Sequence, residues 1–205
     1  MKTKVFMYSC LIYPNAKKPE DYNCEEAQAF FDWYIKNIPE RINYLSDFSG
    51  INLDYSENSL KHIWKWFLKN AIIEKTPKPV IKQLRKDLNK FPKSFIDYVI
   101  NEEKTRFSLE SCGIINDIGM YLGEVFIRNC VGIRWGYHTQ DYNKDSFINT
   151  PELQGFEDKD YSPPFKMNFD VEHMVSVQAS KMFDGTQSDL DLFNIYMLWK
   201  NKYIN

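Results

Sequence analysis

Apolar residues recur every three or four positions along most of this chain, a period that predicts helices over much of its length. In residues 24–38, Ala27, Phe30, Phe31, Tyr34, Ile35 and Ile38 follow that spacing behind Glu25 and Glu26, acids suited to a helix N-terminus. Pro39 opens a new turn, Ile42, Leu45 and Phe48 continue the stripe, and Gly50 ends it. Ser56 or Ser59 then caps a second helix with Leu60, Ile63, Trp64, Phe67 and Leu68 on one side, and the short loop between predicts an antiparallel pair. The basic stretch 74–94 carries three prolines, which marks a lobe boundary and leaves room for a short helix over 80–88. Residues 92–103 read as another helix.

From Ser108 the pattern changes. SLESCGIINDIGMYLGEVFIRN is a long helix capped by Ser108, with Gly132 just past its end. IRWGYHT and PELQGFE are rich in strand formers and read as two strands, antiparallel across a polar loop. Residues 169–183 form a helix capped by Asn168 or Asp170, and a capping box of Ser188 with Asp191 opens the last one. The expected fold is α+β: a predominantly helical N-terminal half, and C-terminal helices packed on a small antiparallel sheet. It is expected as one domain of two lobes, residues 1–90 and 91–205.

Composition changes this picture only in places. At 43% hydrophobic and 26% charged, the 205 residues have the make-up of a globular protein with a substantial core. Aromatic content is high at 16%, which suits either a packed core or a binding surface. The net charge of −2 conceals an asymmetry. Residues 1–106 hold 18 Lys and Arg against 14 Asp and Glu, and residues 107–205 hold 8 against 14. An acidic C-terminal half argues against nucleic acid there. Cys10, Cys24, Cys112 and Cys130 show no CxxC spacing, so reduced thiols in a cytoplasmic protein are expected. The apolar stretch Val5–Tyr13 is short and reads as a strand or docking segment, and no stretch has the length of a membrane span.

Candidate chemistry centres on the long helix. At about 100° per residue, Ile114, Ile118, Leu122 and Val125 share the core face. Asp117, Glu124 and Arg128 form a second stripe, and Gly119 with Gly123 a third. A helical glycine costs about 1 kcal/mol relative to alanine. Two of them a turn apart therefore predict close packing, here against the strand containing Arg134–Thr139. Glu124 and Arg128 stand in the favourable i, i+4 order and are expected to pair. An enzyme, of hydrolase type, would use Asp117 and Glu124 with His138, but no His follows either acid at i+3 or i+4 to complete a metal motif. Walker, Rossmann, GxSxG and EF-hand signatures are missing from the sequence. The basic segment 61–90 offers a nucleic-acid surface, weakened by its interleaved acids. Neither a cofactor nor a metal is expected.

The run DIGMYLGE, then RWGY and NTPELQGF, resembles a module of small bacterial proteins: a GxxxGE helix followed by a tryptophan-containing strand. FFDWYIKNIPERINYL and LDYSENSLKHIWKWF resemble the helical first half of such proteins. Related arrangements resemble immunity proteins of bacterial polymorphic toxins. The resemblance implies a glycine-bearing helix packed on a small sheet and a cytoplasmic partner-binding role, and it brings no catalytic residue. The expected partner is another protein, a cognate toxin, and not a membrane. Contacts are expected from Asp141, Tyr142, Asp145, Glu157, Asp158, Asp160 and Tyr161.

Overall fold

The computed structural model describes residues 7–12, 17–139 and 148–204. Helix α1 (Cys24–Ser49) opens with a capping box: the Asn23 side chain accepts from the Glu26 N–H at 2.9 Å, and the Glu26 carboxylate accepts from the Asn23 N–H at 3.0 Å. The helix runs on through Pro39 as one element, although a proline there removes one backbone bond. Packing of Tyr34, Ile38, Ile42 and Leu45 on both sides of the proline compensates for that bond. Gly50, at φ +68°, ends it. Ser56 caps α2 (Glu57–Asn70), whose Trp64 is fully buried and donates its indole N–H to the Ser188 carbonyl at 3.0 Å. Trp66, on another face, packs edge-on against Phe48.

An excursion follows. Strand β1 (Ile73–Lys75) leads into α3 (Lys78–Asp87) and α4 (Lys93–Glu102), and β2 (Thr105–Phe107) returns antiparallel to β1. The basic stretch therefore builds an arm: α3 has no buried residue and α4 only Ile100.

Helix α5 (Leu109–Asn129), capped by Ser108, is the axis of the molecule. It packs against α1 and α2 and against two later helices, α6 (Val171–Ser180) and α7 (Asp191–Tyr203). The C-terminal sheet has three antiparallel strands in the order β3 (Arg134–Gly136), β4 (Glu152–Asp158), β5 (Phe165–Phe169), one more than the pattern predicts. The register slips between Leu153 and Phe156, at Gly155 with φ +111°. That bulge lets two residues three apart both face inward. Phe126 of α5 meets Phe156, Phe169 and Tyr196 with ring centroids 5.4, 5.3 and 4.6 Å away, so much of the aromatic excess closes the core between helices and sheet.

Asp170 caps α6, accepting from the His173 N–H at 2.8 Å. The Asp191 carboxylate accepts from the Ser188 N–H at 2.6 Å ahead of α7. Among the described residues no helix is long and apolar enough to cross a membrane.

Candidate functional site

The acidic stripe of α5 divides by depth. Asp117 is fully buried, because the N-terminal segment and α1 close over its level of the helix. Arg41 meets it through Nε at 3.0 Å to Oδ1 and through Nη2 at 2.6 Å to Oδ2, and Tyr8 donates its hydroxyl to the same carboxylate. The second guanidinium arm also donates to the Ser9 carbonyl at 2.7 Å, so Arg41 clamps the segment 7–12 onto the helix. Burial raises the Asp117 carboxyl above its ordinary range, opposed by its bonds to Arg41 and Tyr8.

Two residues on, Gly119 faces helix α6 and not the strand: a Cβ there would lie 3.3 Å from the Glu172 Cα. Gly123 does face the strand, but through a side chain. A Cβ on it would lie 2.5 Å from Cη2 of Trp135. Trp135 stands edge-on to Tyr34 and donates its indole N–H to Glu124 at 3.0 Å. The predicted Glu124–Arg128 pair forms, at a longer 3.7 Å, while Arg128 lies 3.4 Å over the ring of Tyr55. Substituting Gly123 by alanine sets the helix-propensity gain against an overpacked indole. Chemical denaturation is expected to show a net loss of about 1–2 kcal/mol, whereas Gly119→Ala should stay within about 1 kcal/mol of the parent.

His138, two residues past the end of β3, turns to a third carboxylate. Its Nδ1 lies 3.2 Å from both oxygens of Glu152, which is itself buried and accepts from the Gln154 amide at 3.1 Å. Asp117, Glu124 and His138 are thus held by Arg41, Trp135 and Glu152 respectively.

Two further carboxylates stand at the start of α6: Asp170, which the sequence offers only as a cap, and Glu172. Glu172 feels the charges of Asp170 and Asp117, and Asp170 in turn acts on Glu152. Burial, reinforced by these neighbours, pushes the Glu172 carboxyl up to about 7. Among the described residues no cluster of three ligating side chains is arranged to hold a metal. Arg41 had a signal in the sequence: it is a cation on the Tyr34–Ile38–Ile42–Leu45 stripe, and a charge on a buried stripe requires a buried partner. Tyr8, Glu152 and Glu172 had none, since their surroundings come from distant segments.

The predicted contact residues fall in two groups. Asp141, Tyr142 and Asp145 lie outside the described residues. Glu157, Asp158, Asp160 and Tyr161 stand together at the turn of the β4–β5 hairpin, where Asp158 pairs across the strands with Phe165. Tyr161 and Phe165 are each 62% exposed, with ring centroids 6.1 Å apart. Lys202 approaches Asp158 and Asp160 at 3.8 and 3.7 Å and partly offsets their charge. Beside the hairpin, Arg134, Gln154, Gly155, Phe156, Glu157, Lys166 and Asn168 line a depression of about 380 Å³ with both polar and apolar walls.

No family model, no curated protein sequence and no solved structure matches the chain.

Proposed function

We propose that the protein is a non-enzymatic binding protein of the cytoplasm, an immunity protein that neutralises a toxin by occluding it. The observation that carries this reading is the exposed Tyr161–Phe165 pair on a hairpin turn edged by Glu157, Asp158 and Asp160. Aromatic side chains ringed by charge are what a protein interface uses for its central contacts. The acids favour a basic partner surface, such as a catalytic face that handles an anionic substrate.

The test pairs the protein with the product of a neighbouring toxin gene. Co-expression should protect cells, and calorimetry should give a one-to-one complex. Tyr161→Ala with Phe165→Ala should weaken that complex about 100-fold while leaving the melting temperature unchanged. Lack of both complex and protection would overturn the reading.

Glu172 favours a second reading, an acid–base enzyme of hydrolase type. Glu172 stands in the first turn of α6 where α5 packs closely at Gly119, and burial pushes its carboxyl up to about 7, a value suited to proton transfer at neutral pH. Turnover of an ester, phosphate or glycoside substrate that is lost in Glu172→Gln would support it. An inert parent protein would reject it.

A further inference from the structure

The first turns of α5 carry a close approach that the burial of Asp117 does not account for. Cys10, in the segment 7–12 that belongs to no helix or strand, sits directly on the helix at Gly113. A Cβ on Gly113 would lie 2.6 Å from the Cys10 Sγ and 3.4 Å from its Cα, so a glycine is what leaves room for this seat. The Cys10 thiol also donates to the Leu109 carbonyl at 3.1 Å, one turn back on the same helix.

The residue that adjoins Gly113 and stands three positions after Leu109 is Cys112, an exposed thiol. The two cysteines act on each other: burial pushes the Cys112 thiol up, Cys10 adds to that, and Arg106 of β2 opposes it. The other two cysteines lie elsewhere, Cys24 exposed at the start of α1 and Cys130 buried beside the Tyr196 hydroxyl. Seated on Gly113, the Cys10 Cα is no more than about 9 Å from that of Cys112, since consecutive Cα atoms are about 3.8 Å apart. A disulfide spans up to about 6.8 Å between Cα atoms, so a movement of at most about 2 Å by the irregular segment closes it.

We propose that Cys10 and Cys112 form a reversible disulfide that locks segment 7–12 onto α5. The segment already holds the helix through the Tyr8 hydroxyl on Asp117 and the Ser9 carbonyl on Arg41, and Cys10 is the next residue. The bond would close the long loop between residues 10 and 112, so it restricts the unfolded chain strongly. The oxidant is a low-molecular-weight disulfide. The exposed Cys112 thiolate, its proton given to water, attacks one sulfur of that disulfide and releases a small thiol. The Cys10 thiolate then attacks the Cys112 sulfur and releases the second, so the protein loses two hydrogens and the small disulfide becomes two thiols. This lock needs neither the toxin-binding nor the enzymatic reading.

Oxidised glutathione added to the folded protein is the test. The chain should lose the mass of two hydrogens, keep two of its four free thiols, and yield one cross-linked peptide pair joining Cys10 to Cys112. A reductant should reverse all three changes. At a fixed denaturant concentration the folded-to-unfolded ratio should rise about 100-fold on oxidation. Cys112→Ser and Cys10→Ser should each match the reduced parent in denaturation midpoint, which shows that they fold, and should lose both the link and the gain. Cys24→Ser should keep both. Overturning results are a folded protein that forms no link, a link through Cys24 or Cys130, a glutathione adduct on Cys112 that Cys10 never displaces, or a link without added stability.

Discussion

Replacing Arg41 by alanine is expected to destabilise the fold by about 3–5 kcal/mol, read as a fall in the midpoint of chemical denaturation. The residue supplies three contacts to a carboxylate with no exposure to water, and the loss would leave the Asp117 charge buried with the Tyr8 hydroxyl and a distant Glu172 as its neighbours. Burial already raises the Asp117 pKa against the pull of Arg41. Without the guanidinium the main opposition to burial is gone and the Asp117 pKa should rise further, so the penalty should shrink as the pH is lowered. The pair is not itself a large net source of stability, because taking both charges out of water offsets their attraction. Arg41→Met combined with Asp117→Leu should therefore recover most of the loss. If the double variant is as unstable as Arg41→Ala, the clamp of Arg41 on the Ser9 carbonyl, and not the ion pair, is what matters.

How far the chain announced this arrangement depends on how local each feature is. The caps at Ser56 and Ser108, the αL stop at Gly50 and the buried stripe of α2 were legible because each is fixed by residues within one or two turns. Pro39 signalled a new turn, yet α1 continues through it, because packing on either side outweighs one missing backbone bond. Strand β5 does alternate, Phe165, Met167 and Phe169 with Lys166 and Asn168 between them, but five residues between SPP and the cap of α6 are too few to tell a strand from the lead-in to a helix, and only Phe169 is buried. Strands β1 and β2, three residues each, are too short for any period.

The site divides in the same way. The glycines of α5 announced close packing, but spacing within a helix cannot name the neighbour. It is α6 at Gly119 and an indole at Gly123. Glu124 had a local partner in Arg128, four residues on, and a shorter contact to Trp135 that only the turn after Asn129 creates. The acids of the β4–β5 hairpin were legible as a group because they are neighbours in sequence, whereas Asp117, Glu172 and Glu152 stand on three separate elements.

Glu172 should make this protein less stable as the pH rises from about 4.5 to about 7, and a Glu172→Gln variant should lose that slope. The carboxyl is pushed up to about 7 in the fold from an ordinary value of 4.5. A raised carboxyl pKa means that the folded state holds the proton more tightly than the unfolded chain does. The group's contribution is then most favourable below its unfolded pKa, declines as the pH climbs between the two values, and is fully lost above the folded one. A gap of that size corresponds to about 3 kcal/mol, discounted to about 2 because the side chain keeps some contact with water. The cause is a contest that burial wins. Glu172 stands in the first turn of α6, where the helix dipole favours a negative charge, but Gly119 brings the backbone of α6 within van der Waals contact of α5, and Asp170 and Asp117 add repulsion. Denaturation midpoints of the parent and Glu172→Gln, measured from pH 4 to pH 8.5, should converge at the acid end and separate by about 2 kcal/mol at the alkaline end, with the variant the more stable. Asp117 and Glu152 remain in both proteins, so the difference curve isolates Glu172. Parallel curves would mean that the carboxylate is solvated and that the close approach at Gly119 does not desolvate it.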